Sequence, residues 1–128
     1  MTMIRPVATP GRDHPITIER NPARVVVMAG GRVLADSRAA LTLREADYPP
    51  VLYIPRADVE MTRLERTGHA TYCPYKGDAS YYRLLDGGPR EAEAAWSYES
   101  PYPAVAEIEG HLAFYPSRVE AIEERPAG

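Results

Sequence analysis

The chain has 128 residues and a mass of 14.2 kDa, one domain's worth, enough to bury roughly two-thirds of the surface its unfolded form exposes. At 45% hydrophobic and 26% charged it has ordinary globular usage, which excludes disordered and fibrous classes, and its 13 Pro and 9 Gly argue against a helical bundle. The net charge is −3, and the basic residues are scattered from Arg5 to Arg125 with no run of three, a pattern that argues against nucleic acid as a partner.

Met1 to Asp13 carries Pro6, Pro10 and Gly11 without periodicity and is expected to be a flexible lead-in. His14-Pro-Ile-Thr-Ile-Glu19 alternates apolar and polar residues, as a half-buried strand does, and Asn21-Pro22 marks a turn. Arg24-Val-Val-Val-Met28 is a continuous β-branched run that suits a strand covered on both faces. Gly30-Gly31 separates it from Arg32-Val-Leu-Ala35, which predicts a hairpin whose turn needs positive φ. Leu41-Thr-Leu43 and Val51-Leu-Tyr-Ile54 are further strands, split by Pro49-Pro50.

One helical segment is expected, over about 58–65, with Asp58 as N-cap and Met61 and Leu64 three apart on one face. Strand-like pieces follow at His69–Tyr72, Ser80–Leu84, Ala94–Tyr98 and Leu112–Tyr115, with turns at Asp86–Pro89 and Ser100–Pro103. Ala104 to Glu109 fits a helical turn or a strand equally well. Strands recurring between Gly/Pro turns predict an all-β domain over 14–120, with 121–128 as a C-terminal tail.

Thr71-Tyr-Cys-Pro-Tyr-Lys-Gly-Asp-Ala-Ser-Tyr-Tyr82 is the densest chemical constellation, holding the only Cys, the only Lys and four of the nine Tyr. Pro74 and Gly77 suit a tight hairpin tip. Within it, Cys73 and Lys76 lie one turn apart, and an ammonium beside a thiol favours the thiolate. They are the candidate catalytic pair, Cys73 as nucleophile and Lys76 as its activator or an anion anchor. The bland alternative is a hairpin tip with a small buried cysteine. Among 15 basic residues Lys76 is the one that is not Arg, and arginine cannot give up its proton near neutral pH.

Candidate binding residues are Asp36, flanked by Arg32 and Arg38; Arg56, whose fork suits a carboxylate or phosphate; Tyr81; and Trp96, the only Trp, a core residue or a stacking wall. Each of the two charged residues has a bland reading too, Asp36 as a turn former and Arg56 as a partner of Asp58. Phosphate loops, GxGxxG, HExxH and GxSxG motifs are absent, and His14, His69 and His111 lack ligand spacing. A single cysteine excludes an internal disulfide and a multi-cysteine zinc site, so no metal is expected and no cofactor is indicated. The longest uninterrupted apolar stretch, Val25–Ala29, is far short of the ~20 residues that cross a bilayer, so no membrane is expected as a partner. The N-terminus has no apolar secretory core, and a cytoplasmic location is expected.

Arg24-Val-Val-Val, Gly31-Arg-Val-Leu-Ala-Asp-Ser37, Pro50-Val-Leu-Tyr-Ile-Pro-Arg-Ala-Asp-Val59, Cys73-Pro-Tyr-Lys-Gly-Asp-Ala-Ser-Tyr81, Trp96-Ser-Tyr98 and Leu112-Ala-Phe-Tyr115 occur in this order. In these blocks the chain closely resembles the bacterial and fungal domain of unknown function 427, from about His14 to Val119. That resemblance implies a β-tent fold similar to methionine sulfoxide reductase B, with two antiparallel sheets meeting at an angle. The four-cysteine zinc site of many proteins in that class cannot form with one cysteine. The family is also labelled nucleotidyltransferase type 9, but no phosphate loop or paired metal carboxylates stand here to carry that activity.

Two functions follow as expectations. In the first, a small-molecule or anion pocket between the sheets uses Asp36, Arg56, Cys73, Lys76 and Tyr81, either for binding alone or for catalysis. In the second, the protein is a non-enzymatic interaction module presenting a Tyr-rich surface, since nine Tyr against one Phe favours half-wet aromatics. The residues do not set the oligomeric state, and a homodimer is compatible with them.

Overall fold

The computed structural model describes residues 5–85 and 93–126. Among them are ten strands and no α-helix. In chain order the strands are β1 (Ile16–Arg20), β2 (Arg24–Ala29), β3 (Arg32–Ser37), β4 (Leu41–Glu45), β5 (Val51–Tyr53), β6 (Leu64–Cys73), β7 (Gly77–Leu84), β8 (Glu93–Ser97), β9 (Ala113–Phe114) and β10 (Ala121–Arg125). All pairing between them is antiparallel, in three sheets of order β1-β4-β5, β10-β2-β3 and β6-β7-β8-β9.

The all-β class is as the strand spacing predicts; the sheets number three where two were expected. The Val25–Val27 run is wholly buried because β2 is the middle strand of its sheet and packs on the core. Gly30 and Gly31, at φ 62° and 71°, close the β2–β3 hairpin, the conformation that a two-residue primed turn demands.

The helix expected over 58–65 does not form. Two 3-10 turns, Arg56–Asp58 and Met61–Arg63, flank an extended Val59 that bridges to Ala35. Glu60 N–H donates to Leu34 O at 2.8 Å, so pairing with β3 claims the backbone that a helix would have used. Asp58 caps nothing; its carboxylate accepts a 2.7 Å hydrogen bond from Ser37 Oγ. Ala104–Glu109, open in the sequence, falls largely within a kinked 3-10 stretch, Pro103–Ile108. Ala121–Arg125, expected in the tail, is instead β10, the edge strand beside β2. The lead-in lies along the β6–β7 hairpin: Ala8 N–H donates to Pro74 O at 2.9 Å and Tyr72 Oη to Pro6 O at 2.6 Å. The turn expected at Asp86–Pro89 lies outside the described residues.

Side-chain alternation along the four-stranded sheet divides the core. Cross-strand partners Tyr82, Ala95 and Phe114 face β2 and β3, in a cluster with Val25, Val27, Leu34 and Ala35. Their neighbours Tyr81, Trp96 and Ala113 face the opposite way, onto Leu43, Tyr53, Val105 and Ile108. Ile54 and Leu112 exchange two 2.8 Å backbone hydrogen bonds, tying the end of β5 to the approach to β9. An aromatic cleft opens along this seam.

Candidate functional site

The cleft encloses about 870 Å³, in the range of small-molecule sites. Leu43 and Glu45 of β4, Tyr53 of β5, Tyr81 of β7, Trp96 of β8, Tyr98 and Tyr115 build its walls, and the Tyr48-Pro49-Pro50 turn forms its rim. Five of the nine tyrosines therefore converge on it, with Lys76 among them.

Lys76 reaches the cleft because of its turn. Pro74–Lys76 is the tip between β6 and β7, closed by Lys76 N–H to Cys73 O at 3.2 Å, and Gly77 follows at φ 107°. Tyr102 N–H donates to Lys76 O at 3.0 Å and holds the tip down against the body. The lysine is only 7% exposed. Its ammonium donates to Glu45 Oε1, lies 3.7 Å from Cys73 Sγ and stands 5.9 Å from the Tyr98 ring centroid. The other carboxylate oxygen of Glu45 is 2.7 Å from His14 Nε2, and the imidazole stacks on Tyr75 at 4.0 Å. Burial pushes the Glu45 carboxyl up, but the hydrogen bonds from Lys76 and His14 outweigh it and hold its pKa below the ordinary value.

The aromatic walls interlock. Trp96 Nε1 donates to Tyr53 Oη at 3.3 Å, with the rings edge to face at 6.4 Å. Tyr115 tilts against Trp96 at 4.6 Å, and Tyr81 Oη shares a 2.7 Å hydrogen bond with Thr71 Oγ1. Burial drives the Tyr53 and Tyr98 hydroxyls far above the ordinary phenol value, so both stay neutral donors at any physiological pH. Neither donates to an acceptor among the described residues.

Of the residues singled out in the sequence, the structure brings Lys76, Tyr81 and Trp96 together. Cys73 is a free thiol beside Lys76 and outside the cleft lining. Asp36 and Arg56 lie elsewhere, which corrects the expected five-residue constellation. Alternation along β3 turns Asp36 outward while Ala35 and Ser37 point in. There Arg24 grips it with 2.8 and 2.6 Å hydrogen bonds, beside a shallow hollow lined by Arg20, Arg38 and Asp58. Arg56 follows the Tyr82 face of the sheet, donating to Gly110 O at 3.3 Å and Tyr82 Oη at 3.2 Å. Tyr82 Oη in turn donates to Glu99 Oε1 at 2.6 Å.

The residue that sequence reasoning missed is Glu45. Its signal was present: Leu41, Leu43 and Glu45 share one face of β4, which sends a carboxylate to an inward position. Tyr53, Tyr98 and Tyr115 were visible as strand aromatics, but nothing local distinguished them as cleft walls. Among the described residues no three His, Cys, Asp or Glu side chains are grouped to hold a metal ion, and no helix is long and apolar enough to cross a membrane.

An all-β protein whose aromatic cleft ends on a buried lysine–glutamate pair is the class these observations define. Residues 17–125 match the family model of the domain of unknown function (DUF427), and the chain belongs to that family. No curated protein matches the chain.

Proposed function

We propose that the protein binds a small molecule in the Tyr53–Trp96–Tyr98–Tyr115 cleft, with Lys76 as its polar anchor. The supporting observation is convergence: five of nine tyrosines, the only tryptophan and the only lysine line one concave space. The competing reading, an interaction module with a Tyr-rich surface, calls for a flat exposed patch. Only Tyr48, at 66% exposure, is an exposed tyrosine, and it stands on the cleft's own rim.

Binding is favoured over covalent catalysis by charge. Glu45 neutralises Lys76, which leaves little field to stabilise a thiolate, and Cys73 is not among the residues that line the cleft. Iodoacetamide should therefore alkylate Cys73 no faster than an ordinary thiol; rapid alkylation at neutral pH would restore its role as a nucleophile. The same proposal places the protein in the cytoplasm, where a free cysteine is the ordinary state. A thermal-shift screen over metabolites tests the binding function. A ligand at 100 times its Kd adds about 2.7 kcal/mol, worth about 10 °C in a chain of this length. A hit should lose its shift in Lys76→Met, whereas a shift kept in full would remove Lys76 from the site.

A further inference from the structure

The polar atoms of the cleft select for one kind of ligand. Lys76 has three N–H donors, of which one is given to Glu45 and one faces the weak acceptor Cys73 Sγ at 3.7 Å. That leaves one for the cleft. Tyr53 Oη accepts from Trp96 and has no acceptor of its own among the described residues. Tyr98 Oη has no hydrogen-bond partner among them either, although the residue is only 7% exposed. Three donors thus await an acceptor on side chains that line one space, Lys76 Nζ 5.9 Å from the Tyr98 ring centroid and Tyr53 in the same packed cluster as Tyr98. Most of the remaining lining is aromatic or apolar.

Charge narrows the class further. Lys76 and Glu45 form a neutral pair, so the cleft offers no net countercharge. An anionic or cationic ligand would lose its hydration on entry without an opposite charge to replace it. A neutral carbonyl meets the free donors at far smaller desolvation cost. Shape completes the requirement: Trp96 and Tyr115 are only partly buried, and their remaining ring surface offers a stacking wall.

We propose that the cleft takes an uncharged, flat ring bearing a carbonyl acceptor, the carbonyl seated against Lys76, Tyr53 and Tyr98 and the ring against Trp96 and Tyr115. This rests on the reading of the cleft as a small-molecule site. It also narrows the small-molecule or anion pocket expected from the sequence to a neutral ligand, because that expectation lacked Glu45.

Trp96 supplies all the tryptophan emission, so fluorescence titration reports on the cleft directly. The probes are benzamide, benzoate, benzylammonium and cyclohexanecarboxamide at pH 7. Benzamide should perturb Trp96 with a Kd at least tenfold below each of the other three, equivalent to about 1.4 kcal/mol. Tyr98→Phe, which keeps the ring, should weaken benzamide about fivefold or more without altering the thermal midpoint greatly. Benzoate or benzylammonium binding as tightly as benzamide overturns the neutral class while leaving a small-molecule cleft standing. Equal binding of cyclohexanecarboxamide overturns the requirement for a flat ring. If none of the four perturbs Trp96 at ~10 mM, both this assignment and the small-molecule reading fall.

Discussion

Lys76→Met removes the ammonium from a carboxylate whose side chain is only 15% exposed. Breaking a buried ion pair by deleting one partner costs about 3–5 kcal/mol, because the remaining charge is left without compensation. Glu45 keeps its 2.7 Å contact with His14 and borders an open cleft, which puts the expected loss at the lower end, about 3 kcal/mol. An unfolding entropy of ~2.1 cal/mol/K per residue gives a chain of this length about 0.27 kcal/mol per degree, and hence a fall of about 11 °C. Thermal unfolding followed by circular dichroism measures it. Lys76→Met combined with Glu45→Leu should recover most of the loss, since replacing both partners by apolar groups leaves no buried charge. A hairpin-tip lysine in free solvent would accept Lys76→Arg silently; in this packed site the larger fork should cost about 1–3 kcal/mol. A Lys76→Met midpoint within about 2 °C of the parent would refute the reasoning, because it would show a solvated pair of the kind worth under ~1 kcal/mol.

Acidification provides a second check. The folded-state pKa of Glu45 lies below its ordinary 4.5, so its contribution is complete above that value and is lost as pH falls through the folded one. Denaturant titrations should therefore show the parent losing more stability between pH 5 and pH 3 than Glu45→Gln. At alkaline pH, Tyr53 and Tyr98 have folded-state values above the ordinary 10.0, so their contribution holds below that value and fades as pH rises beyond it. Phenolate absorbance should show these two hydroxyls ionising only when the protein unfolds. Ala46, directly after Glu45, sits at φ 45° in left-handed space that costs an L-residue about 1–2 kcal/mol. Ala46→Gly should relieve more than the ~0.4–1 kcal/mol that its added unfolded-state freedom costs, raising the thermal midpoint by up to a few degrees; a fall in the midpoint would contradict that balance.

What the sequence made legible is local. The Val25–Val27 run, the Gly30-Gly31 turn and the Cys73–Gly77 tip each combine residue type and spacing in a way that admits few backbones, and each stands where it was expected. Residues 58–65 show the opposite case. Their helical spacing is real, but bridging of Val59 to Ala35 is a long-range gain that spacing cannot register. The candidate site divided along the same line. Tyr81 and Trp96 meet because alternation on neighbouring strands sends them to one face, and the turn between β6 and β7 brings Lys76 to them. Asp36 and Arg56 stand with them only as sequence blocks: parity on β3 turns Asp36 outward, and the 3-10 turn at Arg56–Asp58 carries Arg56 to the Tyr82 face. Glu45 was overlooked because its meaning depends on Lys76, 31 residues away.

The central claim is that the aromatic cleft, and not an outer tyrosine surface, is where this protein meets its ligand. Amide proton–nitrogen NMR correlation spectra recorded during a benzamide titration test it most directly. The account predicts saturable shifts concentrated at Glu45, Tyr53, Lys76, Trp96 and Tyr98. Shifts gathered instead at Tyr72, Tyr75 and Tyr102, with the cleft residues unmoved, would contradict it.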